Sequence, residues 1–108
     1  MTLGELIGAL EAEDSNLVLP DGFRSPHSYR GYYDQLAFEP AKDVKVGEAL
    51  ALAESALGAT YGGWKGGDFT MDEHTEVNLA VFGECGEEIG PTLLRLMIEK
   101  AKGALDAG

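Results

Sequence analysis

Three apolar stripes at helical spacing, set apart by strand-length runs that proline and glycine interrupt, leave this chain few folds to adopt. Thr2-Leu3-Gly4-Glu5 has the form of a capping box: the Thr2 oxygen accepts the amide of residue 5 and Glu5 reaches back. Leu3, Leu6, Ile7 and Leu10 follow at helical spacing and predict a first helix to about residue 12. Val46, Ala49, Leu50, Ala53 and Leu57 mark a second helix that Gly58 stops. Leu94, Met97, Ile98, Ala101 and Leu105 form the stripe of a third, starting near Pro91, a residue favoured in the first turn.

The runs between these stripes read as short strands. Residues 17–19 are apolar and are stopped by Pro20-Asp21-Gly22; residues 35–39 are closed by Pro40. Residues 22–33 then read as a loop, and residues 58–67 as a glycine-rich loop. Residues 68–71 and 75–82 read as a hairpin around Asp72-Glu73-His74, with Val77, Leu79 and Val81 turned to a core and Asn78, Ala80 and Phe82 on the other face. Gly83-Glu84-Cys85-Gly86-Glu87-Glu88 reads as a turn. The predicted order is α-β-β-α-β-β-α. It describes one α+β domain over residues 1–108: a small antiparallel sheet with three helices packed on it.

Charge narrows the function classes. The formal net charge of -11 opposes general nucleic-acid binding, which requires Lys and Arg to displace counterions from phosphates. Solubility accounts for much of such a charge; a mimic of nucleic acid that blocks a nucleic-acid-binding host enzyme is the alternative. The apolar runs are too short to cross a membrane, and the N-terminus lacks a basic region followed by an apolar run. A lone cysteine, Cys85, suits a reducing, cytoplasmic setting.

Against this acidic background, residues 22–33 contain no Asp or Glu but hold Arg24, His27, Arg30, two serines and three tyrosines. Guanidinium groups suit phosphate oxygens, and aromatic rings suit a base. Two further acid-free windows exist: residues 55–67, with Tyr61, Trp64 and Lys65, and residues 89–98, with Arg95. Together the three hold every arginine. Cations without local carboxylates are open to an external anion unless distant residues neutralise them. The candidate ligand-binding residues are therefore Arg24, His27, Ser28, Tyr29, Arg30, Trp64, Lys65, Asn78, Phe82 and Arg95. If no helix covers the second face of the hairpin, Phe82 stacks on a base and Asn78 reads its edge; the alternative, which is the favoured reading, is that this face is buried too. Arg95 either pairs with Glu99 or reaches phosphate. The competing structural readings are an ordered loop in which Arg30 meets Asp34 or Glu39, and a Trp64 that caps the core. The remaining lysines, set among acidic neighbours, read as solubilising.

Catalytic patterns are weak. Ser25, His27 and Ser28 are adjacent in sequence, which does not supply triad geometry. His27, His74 and Cys85 are too dispersed for a zinc site, and Glu84, Glu87 and Glu88 suit a solvated turn better than a divalent ion. No catalytic residue, metal or cofactor is expected. A nucleotide-degrading enzyme with His27 as acid or base is a third reading.

Residues 25–33 (Ser-Pro-His-Ser-Tyr-Arg-Gly-Tyr-Tyr), followed by Leu36-Ala37-Phe38-Glu39-Pro40, resemble small proteins encoded by bacteriophages and prophages. The likeness continues through Thr60-Tyr61 and Lys65-Gly66-Gly67 to Cys85-Gly86-Glu87-Glu88-Ile89-Gly90. Within that set the chain looks most like the anti-Thoeris sponge proteins. The resemblance implies binding, without cleavage, of a cyclic ADP-ribose signal made by bacterial TIR-domain defence enzymes. It also implies a homodimer or higher oligomer with pockets between subunits. Arg24, His27, Arg30 and Lys65 are the positions it marks first.

Overall fold

A computed structural model describes residues 1–29, 32–62, 68–80 and 87–107, with side chains described outside 28–34, 62–67, 81–86 and 105–108. Helix α1 spans Leu3–Glu11 and starts on the capping box: the Glu5 amide donates to Thr2 Oγ1 at 3.2 Å, and the Thr2 amide to Glu5 Oε1 at 2.9 Å. Helix α2 spans Val46–Ala56 and turns out at Gly58, whose φ of 81° favours a residue without Cβ. Helix α3 spans Pro91–Ala107. The α+β class and the coarse order read from sequence hold, with additional short strands.

The strands are β1 (Val18–Tyr29), β2 (Tyr32–Lys45), β3 (Thr60–Gly62), β4 (Asp68–Thr70), β5 (Val77–Leu79) and β6 (Glu87–Glu88). Four of them form one sheet in the order β1-β2-β5-β6, and β3 with β4 forms a second. The main sheet is mixed rather than antiparallel, because β5 pairs parallel to β2. The expected hairpin of residues 68–71 with 75–82 is not formed: β4 pairs with β3, and β5 with β2 and β6. The turn between them does form, closed by His74 and Thr75 amides on Asp72 and by the Asp72 amide on Thr75 Oγ1.

Strand lengths depart furthest from expectation. The segment read as a loop, 22–33, belongs mainly to β1 and β2, and the chain stays extended through Pro20, Pro26 and Pro40. Edge position explains this for β1, where a proline without N–H forfeits no ladder bond on the outer side. Pro40 lies beyond Phe38, the last β2 residue paired with β5, so only β1 flanks it there.

One core joins all three helices to the sheet: Leu3, Leu6 and Leu10 from α1, Ala49 and Ala53 from α2, Leu94, Met97 and Ala101 from α3. They meet Phe23, Leu36, Phe38 and Val77 of the sheet. Among the described residues no helix is long and apolar enough to cross a membrane.

Candidate functional site

Register across the sheet defines a second face, polar toward its edges and buried at its centre, where Ala37 and Asn78 are 0% and 5% exposed. His27 of β1 pairs with Ala37 of β2, Ala37 with Asn78 of β5, and Asn78 with Glu88 of β6. Directly paired residues share a face, so this row crosses all four strands. The neighbouring pair, Arg24 with Glu39, lies two residues along β2 and on the same side. Leu36, Phe38 and Val77 carry the opposite parity and face the core.

A bulge unites Arg24 with His27. Residues three apart in a regular strand point to opposite faces. Here Arg24 pairs with Glu39 and His27 with Ala37, so two residues of β1, Ser25 and Pro26, stand against Phe38 alone. The extra residue shifts the alternation by one, and Ser25 takes it up with a φ of 54°. Both side chains then project from this second face.

Each meets a carboxylate remote in sequence. The Arg24 guanidinium makes a side-on pair with Glu48 of α2, Nε to Oε1 at 3.1 Å and Nη2 to Oε2 at 3.3 Å. His27 Nε2 lies 2.8 Å from Glu39 Oε1. The sequence argument that these side chains lack carboxylate partners therefore fails for Arg24 and His27: folding supplies partners 24 and 12 residues away. Both pairs are exposed, with Arg24 and Glu48 each at 45%, a setting in which ion pairs contribute about 0–1 kcal/mol and are readily exchanged.

Asn78 is 5% exposed, and its Nδ2 donates to Gln35 Oε1 at 2.9 Å and to the Leu36 carbonyl at 3.3 Å. It ties β5 to β2 and holds Gln35 on the second face. Arg95 is exposed on α3 and makes no ion pair among the described residues, so the expected Arg95–Glu99 pair is not formed. Its helix borders a groove with Pro40, Lys42 and Leu79, residues of the side of the sheet opposite Arg24 and His27. Tyr61 of the second window packs against the core, and burial raises the pKa of its hydroxyl. The side chains of Ser28, Tyr29, Arg30, Trp64, Lys65 and Phe82 lie outside the described set.

Sequence reading missed a second charged cluster. Lys42 and Lys100, taken as solubilising, both bond to the Asp21 carboxylate, from β2 and α3 respectively. No local signal announces it, because the partners are 21 and 79 residues apart. Hydrogen bonds from Lys100 first and Lys42 second draw the Asp21 carboxyl down from 3.8 to about 2. A pKa depressed by folding contributes stability above the unfolded value, which disappears as pH falls from about 3.8 through about 2. The stability lost on Asp21→Asn is therefore expected to be largest above pH 4 and to shrink toward pH 2. Urea unfolding of both proteins across that range measures it, and a difference constant with pH would contradict the assignment.

No group of three or more His, Cys, Asp or Glu side chains among the described residues converges as a metal site. No protein-family model, curated protein or solved structure matches the chain.

Proposed function

We propose that this chain is a non-enzymatic binding protein that sequesters a cyclic nucleotide-type signal, of the cyclic ADP-ribose kind, without cleaving it. The observation that carries the reading is the bulge at Ser25-Pro26, which brings Arg24 and His27, at 45% and 42% exposure, to the same side of the sheet. Their carboxylate partners, Glu39 and Glu48, are exposed, so a phosphate competes with them from solvent. Ser28, Tyr29 and Arg30 follow in the same stretch of sequence, and Trp64, Lys65 and Phe82 supply further donors and rings in this reading. Arg95 enters from a second copy of the chain, which makes the functional form a homo-oligomer. The phage anti-defence role follows from the resemblance of residues 25–40 to sponge proteins.

Incubation with a cyclic ADP-ribose isomer, removal of the protein-bound fraction and heat denaturation test this directly. The signal is expected to be depleted and then returned intact. Returned product would make the chain a nucleotide-degrading enzyme, and an undepleted signal would favour the acidic mimic of nucleic acid. Arg24→Ala and Arg30→Ala are each expected to weaken binding by about 10–100-fold, the loss of one charge-assisted contact of roughly 1.5–3 kcal/mol. Calorimetry on the folded variants reads this out, and unchanged affinity would remove that residue from the site.

A further inference from the structure

We infer that the groove between the β1–β2 ribbon and α3 is a second binding site, for a small amphipathic anion: an organic acid with a compact apolar body and one anionic head. The groove encloses about 370 Å³, within the lower part of the range of ligand clefts. Its floor and α3 wall are apolar, formed by Pro40, Leu79, Leu93, Leu96 and Met97. Leu96 is 56% exposed, the most exposed of the large hydrophobic residues described. An apolar body in the groove would cover it.

The head-group end is set by the one charged cluster in the lining. Asp21, Lys42 and Lys100 are its ionisable residues, so two ammonium groups face one carboxylate. Asp21 is ionised at neutral pH, as an ordinary carboxyl is, and hydrogen bonds to both lysines lower its pKa further. The lining thus carries one net positive charge in an otherwise acidic protein, with Asp43 acting on Lys42 from outside the groove. Each ammonium carries three donors and gives one to Asp21, so both can turn a further N–H toward an anion in the groove.

A second groove, of about 520 Å³, shows that this charge is a property of the site rather than of α3 grooves in general. It runs along Leu17, Val18 and Pro20 against Ala101 and Ala104, and carries Glu13, Asp14 and Asp43 against Lys102 alone. Lys102 is already held by Glu13 at 2.9 Å. That groove repels the ligand the first one attracts. The site lies on the Pro40–Leu79 side of the sheet, opposite Arg24 and His27, and stands independently of the sequestration reading.

A pair of fluorescent probes with one ring skeleton tests the inference: 8-anilinonaphthalene-1-sulfonate, which carries an anion, and N-phenyl-1-naphthylamine, which does not. The sulfonate is expected to bind saturably at one per chain. Lys42→Glu with Lys100→Glu is expected to weaken it at least tenfold while changing the neutral probe less than threefold. Leu96→Glu weakens both. Asp21→Asn, which leaves both lysines in place and removes their carboxylate, is expected to tighten the sulfonate several-fold. Unsaturable binding, equal loss of both probes on charge reversal, or unchanged sulfonate affinity in Asp21→Asn would each overturn the site. Should charge reversal unfold the chain by circular dichroism, Asp21→Asn decides alone.

Discussion

Replacing Phe38 with alanine is expected to remove about 3–5 kcal/mol of folding stability. Phe38 is fully buried and stands where three elements meet. Its ring lies 4.9 Å from that of Phe23 on β1, tilted by 59°, a geometry that adds roughly 0.5–1.5 kcal/mol to burial alone. It pairs in register with Leu79 of β5, and its carbonyl accepts the Ala80 amide at 2.8 Å. The backbone bond survives truncation, so the loss is that of the ring and of the cavity it leaves. A domain of this size has roughly 5–15 kcal/mol in total, so the variant forfeits a large share. Urea unfolding measures it as a lower midpoint. A loss under about 1 kcal/mol would show that the Phe23–Phe38 pair is not the centre of the core.

Gly22→Ala is expected to destabilise by about 1–3 kcal/mol, although alanine ordinarily suits a strand better than glycine. A Cβ at Gly22 would lie 2.9 Å from Val44 Cβ and 3.2 Å from Leu19 Cβ. Neither neighbour is a flexible side-chain end, so no rotamer change relieves the overlap and the β1–β2 ribbon must open. The entropic gain from restricting the unfolded chain is about 0.4–1 kcal/mol, too small to compensate. The Val44→Ala background removes the Cγ2 contact at 3.2 Å and is expected to reduce the cost of Gly22→Ala. A double-mutant cycle reads that coupling. A Gly22→Ala protein as stable as the wild type would mean that the ribbon yields at Val44 without loss.

The elements most legible in the sequence are those whose bonds close locally. The Thr2–Glu5 box, the stop at Gly58 and the start at Pro91 each depend on a few adjacent residues, and all three helices form where the stripes predict them. The strands extend past Pro20 and Pro40, residues that read locally as stops. Whether a proline breaks a strand depends on which edge its nitrogen faces, and therefore on a neighbour outside the local sequence. The second face was half legible. Arg24 and His27 stood out by composition, but their odd spacing gave no reason to place them together.

The residues by themselves determined three helices, an α+β class and a concentration of cations and rings in an acidic chain. Tertiary structure alone decided that β5 runs parallel to β2, that a bulge turns Arg24 and His27 to one face, and that Glu48, Glu39 and Asp21 meet the cations. The physical reason is range. A helix satisfies its backbone within four residues, so its sequence contains its own instructions. A strand takes its partner, its register and its opposing charges from residues tens of positions away, and those are chosen only when the core closes.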